Sequence, residues 1–321
     1  MSDSQLTALL SELERSLSLI DESKVIEPAD PKSALPSGAK LINFSQPDSL
    51  LAKCDQVCAK YQNDKPVLRV IHHLACSGGS LISKCFSAMP NAFLLSEVHP
   101  HSYRHLPKNG AQFLPSDIAT LAKQANFPHS DKLAKKIFTN AITATYEHVS
   151  QLGGILILRD HSHSDFCVGD KVATSSTVVS TLEQQFDIQS IATLRNPIDA
   201  YASLKKNWWL HFQPDDFDSY CDRVLKFLSQ FEKSKIFFYE DFVNQPQQEL
   251  ANMCETLDLP FYDDFQFLFD VFNVTGDSGR KGNSITPRKR RDIEPELKEQ
   301  IVKSSNFKLL CEQYHLDYFP K

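Results

Sequence analysis

The sequence predicts an α/β protein built on a parallel sheet with helices on both faces. From Pro66 onward, short apolar runs alternate with longer amphipathic stretches, the pattern of strands buried on both sides and joined by helical crossovers. Glycine pairs, Gly78-Gly79 and Gly153-Gly154, punctuate those runs where a helix should start or stop. Polar residues then gather just after the runs, at the carboxyl ends of strands, where an open parallel sheet binds its ligands.

The chain has 321 residues, enough for one or two domains, and 34 basic against 40 acidic residues give a net charge of −6. With 41% hydrophobic and 23% charged residues it has the composition of a globular protein and not of a disordered one. The acidic balance argues against a general nucleic-acid binder, although a basic segment near the C-terminus can still hold a phosphate group. Eight cysteines (Cys54, Cys58, Cys76, Cys85, Cys167, Cys221, Cys254 and Cys311) are dispersed with no CxxC spacing, which predicts reduced thiols. Asp3, Glu12 and Glu14 interrupt the opening leucines, unlike a signal peptide. No apolar run is long enough to span a membrane, and the expectation is a cytoplasmic protein.

In chain order, Leu6, Leu9, Leu10, Leu13, Leu17 and Ile20 predict an amphipathic helix behind Asp3 and Ser4. Residues 27–38, with three prolines and a glycine, read as a linker. A second helix follows Asp48, with Leu50, Leu51, Cys54, Val57, Cys58 and Tyr61 on its apolar face. Residues 1–62 are therefore expected to be a helical extension, through which the chain can form oligomers, and residues 63–321 the α/β domain. Within that domain the strands are expected at 67–75, 92–96, 155–159, 188–194 and 235–239. Helices are expected from Gly78–Gly79 and over about 131–152, 197–210, 216–232, 246–257 and 294–313.

Three segments carry chemistry, two of them directly after strands. After the first strand, Cys76-Ser77-Gly78-Gly79-Ser80 is a small-residue turn feeding a helix, whose free N–H groups and positive dipole end suit an anion. It lacks the GxxxxGK[ST] spacing and its lysine, which disfavours a Walker-type triphosphatase. After the fourth strand, Asn196 can cap a helix that Pro197 begins. Arg195 and Ser203 can reach one anion there, the arginine by a bidentate contact. Downstream, the glycine-flanked Arg280-Lys281-Gly282 precedes Pro287-Arg288-Lys289-Arg290-Arg291, six cations in twelve residues. Taken singly, each has an ordinary reading: a tight turn, a surface ion pair, a solvated basic face.

In combination and order, these segments resemble the family of sulfotransferases that use 3′-phosphoadenosine 5′-phosphosulfate (PAPS). The turn at Cys76–Ser80 is similar to the family's 5′-phosphosulfate loop, and Arg195-Asn196-Pro197-x-Asp199-x-x-x-Ser203 to its 3′-phosphate motif. Tyr239-Glu240-Asp241 and Arg280-Lys281-Gly282 resemble two further segments, the latter also a 3′-phosphate contact. The resemblance covers about 66–291. It implies a three-layer parallel sheet of the P-loop nucleotide-binding type and transfer of a sulfuryl group from PAPS to a hydroxyl or amine of a small-molecule or glycan acceptor. No metal, nucleic acid or membrane span is implied. Cys76 stands where the family usually has lysine or arginine; Lys84, Arg159 and Lys281 are the candidates to replace that cation.

Two segments offer a general base. His161, in Arg159-Asp160-His161-Ser162-His163, resembles the family's catalytic histidine position, with Asp160 or Asp165 to orient it. His161 is the expected base, and Glu97, in Ser96-Glu97-Val98-His99, which fits the glutamate of other branches, is its main competitor. The HxH pairs lack neighbouring ligands at metal spacing, Cys76 reads secondarily as a reactive thiol, and Trp208 and Trp209 read as packing or an acceptor-site wall. The competing readings are a metal-dependent nucleotide kinase and a noncatalytic relative that binds PAPS or its desulfated product, 3′-phosphoadenosine 5′-phosphate (PAP).

Overall fold

A computed structural model describes residues 65–101, 118–275, 284–290 and 292–316. They belong to the unit Lys65–Lys321. The expected N-terminal helices, the 27–38 linker, Arg280, Lys281, Gly282 and Arg291 lie outside the described residues.

Five parallel strands, β1 (Val67–His73), β2 (Ala92–Val98), β3 (Ile155–Asp160), β5 (Asp187–Leu194) and β7 (Ile236–Phe238), form one sheet in the order β2-β3-β1-β5-β7. Two-residue strands β4 (Val168–Gly169) and β6 (His211–Phe212) pair beside it. The main helices are α1 (Gly79–Ser87), α2 (Ser130–Gln151), α3 (Pro197–Lys206), α4 (Phe217–Leu228), α5 (Tyr239–Asn244), α6 (Pro246–Thr256), α7 (Pro295–Lys303) and α8 (Ser305–Tyr314). Among the described residues, no helix is long and apolar enough to cross a membrane.

Strand alternation sorts the core into layers. Ile71, Ile157, Ile191 and Phe237 pack with Leu81, Ile82 and Phe86 of α1 and Leu250 and Met253 of α6. On the opposite face Leu68, Val70, Leu156 and Leu158 meet Ile142 and Val149 of α2. Farther along that face, Ala192 and Leu194 join the apolar sides of α3, α4, α7 and α8. Both faces are covered, which is why the strands read as near-continuous apolar runs.

The five expected main strands form, with shifted ends. β1 stops at His73, and Leu74 and Ala75, expected as strand, already belong to the turn; the Ser77 amide and hydroxyl both donate back to the Leu74 carbonyl, at 3.4 and 2.5 Å. α2 ends as its glycine pair predicts: Gly153 takes φ +71°, and the Gly154 amide donates to Val149 O at 2.9 Å. The expected helix over 294–313 is two helices. Ser304 leaves helical geometry with ψ 116°, and its hydroxyl accepts from the Phe307 amide to cap α8. α3 ends at Lys206, not 210, and Trp208 has φ +57°.

The chain leaves β1 toward one edge of the sheet and leaves β5 toward the other, so a crevice opens between their carboxyl ends. The turn after β1 closes tightly there: a Cβ on Gly79 would stand 1.8 Å from His73 Nε2. Gly79→Ala is therefore expected to lower stability by about 1–3 kcal/mol, against the helix propensity that favours alanine. Urea unfolding checks this, and a variant as stable as the parent would contradict the packing.

Candidate functional site

A cleft of about 430 Å³ occupies that crevice, walled by the β1–α1 turn, the start of α3, Tyr239 and Glu240 of α5, and the strap 287–290. Of the expected site residues, Cys76, Gly78, Gly79, Ser80, Glu97, Arg195, Ser203 and Tyr239 all line it. Ser77 does not, because its hydroxyl turns inward to Leu74.

The turn is held from three sides. Gly78 takes φ +86° as the residue before α1, and a Cβ there would stand 2.2 Å from the Tyr239 ring. Cys76 also has positive φ, +65°, and its carbonyl accepts from Arg195 Nη1 at 2.9 Å. The Arg195 guanidinium lies 5.4 Å from the centre of the Tyr239 ring, a cation–π contact. One arginine thus bridges the turn after β1 and the turn after β5.

The second turn is capped as the sequence predicts, with Asn196 Oδ1 accepting from the Ile198 amide at 3.0 Å and Pro197 beginning α3. Glu240 Oε1 accepts from the Asn196 amide at 3.0 Å, while burial raises the pKa of this carboxyl above its ordinary value. Ser203 Oγ donates to the Asp199 carbonyl at 2.8 Å. Asp199 itself grips the strap: Arg290 Nε and Nη2 reach its carboxylate at 3.1 and 2.9 Å, a two-pronged pair that fixes the segment carrying Arg288 and Lys289 along the cleft.

Below the turn, alternation puts the two histidines that end β1 on opposite faces. The register pairs Ile71 with Arg159 and His72 with Asp160. His72 and Asp160 therefore meet on one face, Nδ1 to Oδ2 at 2.8 Å, with Ser162 and Ser176 also donating to that oxygen. His73 and Arg159 meet on the other, and Arg159 Nε donates to His73 Nε2. Since that nitrogen accepts, the neutral ring carries its proton on Nδ1. Arg159 Nη1 further donates to Ser96 Oγ and Thr275 O, both at 2.9 Å, and Nη2 pairs with Glu97 Oε1 at 3.1 Å. Glu97 has φ +59° at the irregular end of β2, a left-handed conformation that costs a non-glycine residue about 1–3 kcal/mol.

His161 follows β3 and is not part of the cleft wall. The carboxylates expected to orient it are engaged elsewhere: Asp160 by His72, and Asp165 by His99 at 3.1 Å and by the Thr177 hydroxyl at 2.6 Å. Lys84 pairs with Asp270 at 3.1 Å away from the cleft, which leaves Arg159 as the described member of the three candidate cations that lines it. Trp209 forms part of the wall, whereas Trp208 is 88% exposed. Asn207 Nδ2 approaches Cys76 Sγ at 3.8 Å. Among the described residues, no group of three or more His, Cys, Asp or Glu side chains is arranged to hold a metal ion.

No family model matches the chain, and no curated protein matches it. Solved structures of sulfotransferases do. The sulfotransferase domain of the Synechococcus PCC 7002 olefin synthase matches at 16% identity and TM-score 0.43, covering 80% of this chain and 98% of that one. Mouse sulfotransferase SULT7A1 complexed with PAP matches at 12% identity and TM-score 0.37, over 77% of this chain and 88% of that one. Retinol dehydratase in a complex with retinol and PAP matches at 12% identity and TM-score 0.31, over 65% of each chain.

Sequence reasoning did not assign a site role to His73, Glu240 or the Asp199–Arg290 clamp. The clamp joins residues far apart in sequence and leaves no local signal, whereas the adjacent histidines at a strand end were a visible one. Burial, with Arg159, His72 and His161 nearby, lowers the His73 pKa well below 6.5. The unfolded chain binds that proton near pH 6.5 and the folded one resists it, so stability is lost as pH falls below about 6.5, at up to about 1.4 kcal/mol per pH unit. His73→Gln should flatten that acid limb in unfolding titrations between pH 7 and 5; an unchanged slope would place the titration elsewhere.

Proposed function

We propose that the chain is a PAPS-dependent sulfotransferase. The observation that carries the reading is that one cleft, at the switch point of the parallel sheet, has two separate walls of anion-binding donors. The β1–α1 turn, with the N–H groups that begin α1, forms one wall, and Arg195, Ser203 and the clamped strap with Arg288 and Lys289 form the other. A nucleotide with phosphates on both its 5′ and 3′ positions needs two such cradles. The N–H groups at the start of α1 meet the 5′-phosphosulfate, and Arg195 and Ser203 take the 3′-phosphate together with the basic segment. The motif order in the sequence supports the same assignment.

In the reaction, the acceptor oxygen or nitrogen attacks sulfur as the bond from sulfur to the 5′-phosphate oxygen breaks. The acceptor loses a proton to a base, and a sulfated product and PAP leave. Glu97 is the base in this reading, because it stands in the cleft wall beside the turn and His161 does not. Charge that builds on the leaving phosphate falls on preorganised donors, each worth about 10²–10³ in kcat.

With labelled PAPS and an accepted alcohol or amine, Glu97→Gln should lower kcat by about 10²–10⁴ while nucleotide affinity stays near that of the parent, and His161→Ala should change it little. A His161→Ala enzyme that loses turnover while Glu97→Gln keeps it would reverse the assignment. Absence of label transfer across an acceptor panel, with PAP still bound, would favour the noncatalytic relative.

A further inference from the structure

The strap along the cleft is neither helix nor strand, and its residues Pro287, Arg288 and Lys289 are exposed. On either side of them the chain is tied to different cores. Ile285 packs on the core beneath α1 and α6, and Ile293 on the core shared by α3, α4, α7 and α8. Between these two anchors the strap meets the start of α3 through an ion pair. Arg290 Nε reaches both Asp199 carboxylate oxygens at 3.1 Å, and Nη2 reaches Oδ2 at 2.9 Å. The two side chains are only 17% and 16% exposed, so the fork is less screened than a surface pair and fixes direction as well as distance. Lys205, farther along α3, adds an exposed tie to Glu294 at 2.9 Å and Glu296 at 3.3 Å.

Asp199 thereby serves both parts to which the proposed function gives the 3′-phosphate. Its carbonyl accepts from Ser203 Oγ at 2.8 Å, and its carboxylate holds the residue next to Lys289. The same side chain lines the cleft. By Coulomb's law alone, a carboxylate there repels the anion that the cleft is proposed to hold. Arg290 gives its fork to Asp199, so the strap's cations toward a ligand are Arg288 and Lys289. An exposed, irregular segment that had to be ordered by the ligand would lose affinity to conformational entropy. The fork meets that cost in advance.

We infer that Asp199 and Arg290 are positioning residues for the 3′-phosphate: their fork holds Arg288 and Lys289 in the cleft before the nucleotide arrives, so an acidic side chain raises the cleft's affinity for an anion. This role rests on the PAPS reading and adds the residue pair that preorganises its 3′ side. The two effects of Asp199 have opposite signs. Repulsion alone predicts tighter nucleotide binding when its charge is removed, and preorganisation predicts weaker binding.

The test is calorimetric titration of the full-length protein, in EDTA at pH 7.5, with PAP and, separately, with adenosine 5′-phosphate, which lacks the 3′ group. Asp199→Asn and Arg290→Met should each weaken PAP binding by about tenfold, the worth of a charge-assisted contact, and adenosine 5′-phosphate by less than about twofold. The double variant should bind PAP about as weakly as either single one, because both changes remove the same fork. Arg290→Lys, which keeps the charge and loses the fixed geometry, should fall between the parent and Arg290→Met, and it carries the comparison should a neutral variant fail to fold. PAP binding that is unchanged or tighter in Asp199→Asn would overturn the inference. Equal losses for both nucleotides would also overturn it, by reducing the fork to a brace of the fold. Either result leaves the PAPS reading in place, whereas a parent protein that binds neither nucleotide, or PAP no better than adenosine 5′-phosphate, would overturn both.

Discussion

The site depends on the register between β1 and β3. Pairing Ile71 with Arg159 and His72 with Asp160 puts one buried His–Arg contact on the α1 face of the sheet and one buried His–Asp contact on the other. A slip of one residue would turn β3 over, setting the arginine against Leu68 and Val70 of β1 and the aspartate beneath the glycine turn. Val70-Ile71 and Ile157-Leu158 are apolar on both faces and would tolerate that slip, whereas Arg159 and Asp160 would each be buried without its partner. The polar pairs at the strand ends therefore help to hold the register that places the charges of the cleft.

Buried charge has to be paired to be tolerated, and Arg159, Arg195, Asp199 and Glu240 around this cleft show how that condition is met. Arg159 is satisfied by a histidine nitrogen, a hydroxyl, a carbonyl and a carboxylate. Arg195 takes a carbonyl and an aromatic face, and Asp199 takes the fork of Arg290. Glu240, with the raised pKa of a desolvated carboxyl, takes a backbone amide. These partners join the β1 turn, the β5 turn and the basic strap into one frame. The positive φ values of Cys76 and Glu97 both fall on its wall, strain that surrounding contacts must hold in place.

Much of this was legible in the sequence, for reasons that can be traced to particular residues. Short apolar runs bounded by glycines located the five main strands, and Asn196-Pro197 located the start of α3, because capping and φ restriction are local. Gly78 and Gly79 read as part of a small-residue turn feeding a helix, and they do form it, packed against Tyr239 and His73. What was hidden is non-local. Ser304 splits the last helix because its hydroxyl finds the Phe307 amide, a choice that apolar periodicity does not register. The Asp199–Arg290 clamp is set by the way α3 and the strap meet, and the Arg159–His73 contact appears only once register brings the two residues together. The backbone of Glu97 departs from the regular strand at an irregularity in the β2–β3 ladder, which no residue type announced.

The central claim is that the cleft is a metal-independent site for an adenine nucleotide phosphorylated on both its 5′ and 3′ positions. Calorimetric titration of the unmodified protein tests it most directly, with PAP in EDTA in one arm and ATP with excess Mg²⁺ in the other. The account predicts saturable one-to-one binding of PAP in EDTA, tighter than ATP with Mg²⁺ by about tenfold or more, since only PAP carries phosphates for both walls of the cleft. Binding of ATP with Mg²⁺ and none of PAP in EDTA would contradict it and return the cleft to the metal-dependent kinase reading.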